Sequence, residues 1–314
     1  MTGGGNFGDI TLRRIWAYTI AGARNIVNKG YIYLTISILI FGPFEVISKL
    51  VYGIDAIQLN FLRFLIGGLA LLPFAIHDIR RWKVDIRPRD LLAMIGLGIL
   101  YIPISMVFLQ VAIQNTSASL STFVFSSNPV FIAIFAAWIL KEKPNTYIVF
   151  SIALGFVGLL FISNPFNDTF DIYFLHLCFA AVTFAFYNVL MRKTTGKFGN
   201  LVAFTIVVIC GTIALGLYLL VMGIPWFAGI SMGNLLPLLY LGVLGSGITF
   251  VSYYKGMELT STNVGSIVFF FKPIQGTIYA IIILNERLTT GFIIGASLIV
   301  LGSVVMIYGK ERTN

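Results

Sequence analysis

Charged side chains make up only 11% of this 314-residue chain, and histidine and cysteine occur twice each. A water-soluble domain carries about 25% charged residues, so a soluble globule with an ordinary surface is excluded. With only His77 and His176 and 12 acidic residues, no cluster for metal binding or general acid–base catalysis is expected, and no cofactor. An intramembrane enzyme is therefore the weaker alternative. Cys178 and Cys210 lie inside apolar runs, where a thiol behaves as a small hydrophobe and not as a disulfide or metal ligand. No Gly-Lys-Ser/Thr phosphate loop occurs. The run Gly245-Ser246-Gly247 lies in an apolar stretch with no strand before it, so direct ATP coupling is not expected.

What is abundant is apolar: 58% hydrophobic residues, 28 phenylalanines and a mean hydropathy of +0.93. This composition predicts a polytopic membrane protein. A bilayer core about 30 Å thick takes roughly 20 apolar residues of helix. Runs of that length, bounded by charge, Pro, Gly or Asn, cover 31–51, 56–76, 90–112, 117–139, 145–163, 170–190, 200–222, 233–255, 263–284 and 289–308. The expected fold is an all-α membrane protein of ten transmembrane helices, with no room between them for a soluble domain. Residues 1–30 hold no cleavable signal, because Arg13, Arg14 and Arg24 interrupt the apolar part. There Ile15, Trp16, Ile20, Ala23 and Val27 share one helical face, which predicts either an interfacial helix or an unstructured basic tail.

The net charge of +9 raises the question of nucleic acid, but the basic residues sit in short loops between apolar runs. That is how a membrane protein fixes its orientation, so no nucleic-acid partner is expected. With ten alternating spans and the N-terminus inside, most of the 21 Lys and Arg fall on the cytoplasmic side, including Arg80, Arg81, Lys83, Arg87 and Arg89 in a single loop. Only Lys49 and Arg287 fall outside, while Arg63 and Lys272 lie within spans. Both termini are thus expected in the cytoplasm.

Sliding the chain by 144 residues aligns 90–163 on 234–307 without a gap, with about 20 identities. Leu97-Gly98 falls on Leu241-Gly242, Thr116-Ser117 on Thr260-Ser261, Pro129 on Pro273, Glu142 on Glu286 and Gly158 on Gly302. Proline, glutamate and Thr-Ser in register are not explained by shared hydrophobicity. The chain reads as five spans written twice, 31–163 and 170–309. Because five is odd, the second copy enters the membrane from the opposite side. Such inverted repeats place a site near the midplane between the halves and expose it to each side in turn. An inert duplicated scaffold and a passive channel are the bland alternatives.

The motifs Phe41-Gly42 followed by Lys49, Leu62-Arg63-Phe64, Asn115-Thr116-Ser117-Ala118-Ser119, Asn128-Pro129 and Leu140-Lys141-Glu142 recur in a known group. So do Thr260-Ser261, Pro273 and Asn285-Glu286-Arg287-Leu288 in the second half. The chain resembles the drug/metabolite transporter superfamily, in particular its EamA-type members with ten spans. The resemblance implies a secondary transporter of small metabolites, often an exporter of amino acids or related compounds, in a bacterial or archaeal plasma membrane. Substrate does not transfer with fold.

Three ionisable residues lie well inside spans: Glu45, Arg63 and Lys272. Each costs roughly 2.5 to 3.5 kcal/mol at a lipid-exposed helix centre, so they are expected to face one another or water. Lys272 precedes Pro273, which predicts a helix break and free carbonyls beside a cation. It is a candidate for substrate binding, for proton coupling, or for a structural pair with Glu45. Its repeat mate Asn128 and its face neighbour Gln275 join it as candidates. Glu45 can pair with Lys49 four residues on, meet Lys272, or titrate in the cavity. Arg63 either ties helices together or recognises an anion. Together the trio predicts a polar cavity with a net charge of +1 and a carboxylate-bearing substrate. Phe41, Tyr254 and Phe269 are candidate walls, and Glu142 and Glu286 candidate caps.

Overall fold

The computed structural model describes residues 29–141, 146–163, 171–260 and 268–311. The expected N-terminal interfacial helix, and the motif residues Glu142 and Ser261, lie outside the described residues. Every regular element among the described residues is helical. We label them α1 (Lys29–Lys49), α2 (Ala56–Trp82), α3 (Pro88–Asn115), α4 (Ala118–Ile139), α5 (Thr146–Ser163), α6 (Ile172–Phe198), α7 (Asn200–Val221), α8 (Met232–Leu259), α9 (Val268–Leu284) and α10 (Thr290–Glu311). Seven of them, α1 to α4 and α6 to α8, are long and apolar enough to cross a membrane. The other three carry shorter apolar stretches, Val149–Ile162, Phe271–Leu284 and Thr290–Gly302.

Local chemistry sets the helix ends. Asp55 caps α2 by accepting hydrogen bonds from the N–H groups of Ile57 at 2.8 Å and Gln58 at 3.4 Å. The helix closes with Arg80 and Arg81 against its negative end and Lys83 in the left-handed region at φ 46°. Asp171 caps α6 through the N–H of Tyr173, and Ser117 caps α4 through that of Leu120. Pro88 sits in the first turn of α3, where its missing N–H costs nothing.

Burial is the reverse of a soluble protein. Large apolar side chains face outward, among them Trp138, Leu220, Val221 and Leu236, each at least 65% exposed. Glu45, Arg63 and Lys272 are buried instead, the first completely. Apolar side chains at the rim, with the ionisable residues of the spans turned inward, are what lipid as solvent requires.

Four close helix contacts relate the halves. Gly158 of α5 packs on the backbone of Gly295 in α10, and Gly302 packs on that of Ser151; a Cβ at either glycine would meet a carbonyl within 3.0 Å. Gly98 of α3 meets Gly211 of α7, and Gly67 of α2 meets Gly242 of α8. In the 144-residue register the second contact of each pair is the first with the halves exchanged. Where α5 meets α10, the higher number on one helix faces the lower on the other, so that pair is antiparallel.

One local expectation needs correction. The helix does not break at Pro273, because α9 runs through it from Val268 to Leu284. The proline removes one N–H, and packing of α9 against α1 and α4 holds the helix together. Breaks occur elsewhere: at Gly42-Pro43 in α1, and at Ser127, directly before Asn128-Pro129, in α4. In addition, α3 and α8 each widen into a π-helical stretch, Leu100–Met106 and Tyr240–Ile248, at overlapping positions of the repeat.

Candidate functional site: a central cavity walled by aromatics

The break at Gly42-Pro43 restarts α1 at Phe44 and puts Glu45 in the first turn of the new segment, pointing inward. From α9, Lys272 places its Nζ 2.7 Å from Oε1 of Glu45. The ammonium also lies 5.4 Å from the ring centre of Phe41 and 5.1 Å from that of Phe125. Both ionic partners are removed from water, so the pair holds only because each neutralises the other. Lys49, the local alternative partner for Glu45, donates to the carbonyl of Ile113 at 3.0 Å instead. The remaining oxygen of Glu45 has no hydrogen-bond partner among the described residues.

Arg63 of α2 is held differently. Its Nε and Nη2 both donate to the amide oxygen of Asn60, at 3.0 and 2.8 Å, and Asn60 donates in turn to the carbonyl of Ile102 at 3.3 Å. That carbonyl belongs to the π-helical stretch of α3. The guanidinium lies over the rings of Phe44 and Phe64, at 4.9 and 4.3 Å, contacts worth about 0.5 to 2 kcal/mol each. The sequence singled out Arg63 but missed Asn60. The three-residue spacing puts the two on one helical face, and that was the available signal.

Arg63 and Lys272 line one cavity, together with Phe41, Phe125, Phe250 and Tyr254 and other mostly aromatic walls. Tyr101, stacked on Tyr187 at 4.5 Å, completes the side formed by α3. The free volume is about 30 Å³, room for one or two waters. The expected polar cavity is therefore largely apolar, with its charge concentrated at two points, and its walls must part to admit a metabolite. Of the proposed walls, Phe41, Tyr254 and Phe269 all line it. Glu45, Asn128 and Gln275 do not: Glu45 reaches the cavity only through Lys272, and Asn128 and Gln275 each have a buried side-chain oxygen with no partner among the described residues.

A second hollow, of about 590 Å³, opens between the ends of α1, α3 and α9 and the start of α4, lined by Lys49, Gln114, Ser117 and Glu286 among others. Glu286 closes one side of it. Its Oε1 accepts from the N–H of Ala118 at 2.6 Å, and its Oε2 from the N–H and hydroxyl of Ser119 at 3.1 and 2.7 Å. It is a cap, as its sequence position suggested, but for a helix in the other half of the chain. A carboxylate on a helix N-terminus satisfies orphan donors and opposes the helix dipole.

Comparison with known proteins adds a lineage to this geometry. The model of the EamA-like transporter family matches residues 28–164 and again 172–308. An uncharacterized transporter of Clostridium kluyveri is 33% identical over 300 residues, covering 92% of this chain and 96% of that protein. The uncharacterized transporter YxxF of Bacillus subtilis is 26% identical over 84% of this chain and 83% of its own. The uncharacterized inner membrane transporter YicL of Salmonella typhimurium is 22% identical over 91% and 97%. One solved crystal structure superposes with a TM-score of 0.65 over 91% of this chain and 99% of the other, at 18% identity, a likeness of fold alone.

Proposed function

Because the chain belongs to the EamA-like transporter family, in two copies of its domain, we propose that this multi-pass membrane transporter works by alternating access at the central cavity. In this reading all ten helices cross the bilayer as two inverted five-helix halves, 31–163 and 170–309. The exchanged glycine contacts and the antiparallel packing of α5 on α10 support the inversion, since a two-fold axis relates antiparallel helices only when it lies across them. The membrane is the plasma membrane, as the family resemblance implies, and both termini are cytoplasmic, as the loop charges argue.

The observation that carries the proposal is the buried Glu45–Lys272 pair, because it bridges the halves at the cavity wall. Breaking it strands two charges, and remaking it draws α1 and α9 together, so the pair favours discrete states over intermediate ones. A solute carboxylate meets Arg63 there, beside a Lys272 already paired with Glu45. The substrate class is a small carboxylate-bearing metabolite, the class that includes amino acids, moved outward by preference. Lys272 and Glu45 are also the candidate proton carriers for coupling. Asn128 and Gln275, whose side-chain oxygens have no partner among the described residues, serve the opening of that seam.

Counterflow in proteoliposomes tests this. Preloaded unlabelled solute is expected to drive transient accumulation of the labelled one, and Lys272→Ala to abolish it. Normal counterflow by Lys272→Ala would remove the pair from the mechanism, and flux without counterflow would make the protein a passive channel.

A further inference from the structure

The charge of the cavity wall does not balance, and the imbalance says what the solute carries. Glu45 and Lys272 cancel at 2.7 Å. Arg63, only 3% exposed, lines the same cavity with no carboxylate partner among the described residues. Its Nε and Nη2 are taken by the neutral amide oxygen of Asn60, while Nη1 makes no hydrogen bond among the described residues. Phe44 and Phe64 lie against the guanidinium, and Phe44 lines the cavity with it. Near it, the buried hydroxyl of Tyr101 also has no partner among the described residues.

Resting on the transporter reading above, we infer that the transported solute is an organic monoanion with a flat apolar body, whose carboxylate seats on the Nη1 edge of Arg63 and which carries no ammonium group. A buried guanidinium calls for an anion, and its planar fork suits a carboxylate better than a lysine does. The walls offered to the rest of the solute are rings, among them Phe125, Phe184, Phe250 and Phe269, which pack best against another flat ring. The ammonium of a zwitterion would find the uncompensated Arg63 in the same wall. Among the described residues no aspartate or glutamate lines the cavity, and the carboxylate of Glu45 is already bonded to Lys272. The amide oxygen of Asn188 is a neutral substitute at best.

The test is calorimetric titration of the full chain, purified in detergent, with three probes that share a ring and differ in charge: 3-phenylpropionate, phenylalanine and phenethylamine. The anion is expected to bind about tenfold tighter than the zwitterion, or more, and the amine not to compete. Arg63→Gln removes the discrimination, and Arg63→Lys weakens anion binding about tenfold. E45Q/K272M is the second variant, because it deletes the neutral pair without changing net charge and is expected to keep the preference for the anion. Phenylalanine binding as tightly as the anion, or none of the three binding, overturns the inference and leaves the transporter reading standing. Loss of the anion preference in E45Q/K272M overturns the assignment to Arg63. Tight anion binding without counterflow of labelled 3-phenylpropionate above protein-free vesicles supports the anion seat on Arg63 and brings down the transporter reading instead.

Discussion

Glu45 and Lys272 sit where neither charge could stay alone, which makes the pair testable as a unit. Removing one partner leaves the other buried and unpaired, so Glu45→Leu or Lys272→Met alone is expected to destabilise the fold by about 3 to 5 kcal/mol. The double variant E45L/K272M recovers most of that, because it leaves no stranded charge. Thermal unfolding of the detergent-purified chain reads both; single variants that melt like the parent would mean the pair contributes nothing to holding the halves together. The individual charges were legible in the sequence because an ionisable residue inside an apolar run stands out. Their partners were less so. Lys49, four residues from Glu45, offered a local pair, and only tertiary packing shows that it turns to the carbonyl of Ile113. Asn60 and Tyr101 escaped notice because single polar or aromatic residues in a span carry no signal until their neighbours are known.

Helix breaks and caps decide which parts of the bundle can move. The two aligned prolines behave differently: Pro129 follows a break at Ser127, while α9 is continuous through Pro273. Sequence gives the proline, and the neighbouring helices decide whether it interrupts. Glu286 is the element that ties the end of α9 to the start of α4 across the halves. Losing a cap costs about 0.5 to 2 kcal/mol. One or two kcal/mol of lost closure raises the open fraction about 5- to 30-fold. A cysteine at buried Ala118, with Cys178 and Cys210 replaced, is therefore expected to react faster with an impermeant thiol reagent by about that factor when Glu286→Ala is added. An unchanged rate would show that the cap does not hold this side shut. The register that placed Glu286 opposite Glu142 was visible in the sequence, but the helix it caps was not, since the contact spans 168 residues.

At the scale of the whole molecule, composition fixed the most. Low charge, long apolar runs and the 144-residue register led to a helical membrane protein in two copies, and the match of one family model to 28–164 and 172–308 agrees. Exchanged contacts such as Gly158 with Gly295 and Gly302 with Ser151 were not readable beforehand, because a glycine in a span states that something approaches closely and not what. The contracted, aromatic character of the cavity was also hidden, since phenylalanines are spread through the whole chain. The central claim is that the cavity meets one side of the membrane at a time. The measurement is thiol labelling of Asn188→Cys, on the cavity wall, in a chain freed of Cys178 and Cys210, from right-side-out and inside-out vesicles. It is made before and after a short cross-link joins cysteines at Ser119 and Glu286, whose side chains lie 2.7 Å apart. Alternating access predicts labelling from either side before the cross-link, labelling from the cytoplasmic side alone after it, and the end of solute exchange. Reagent that still reaches position 188 from outside once the ends are joined would contradict it.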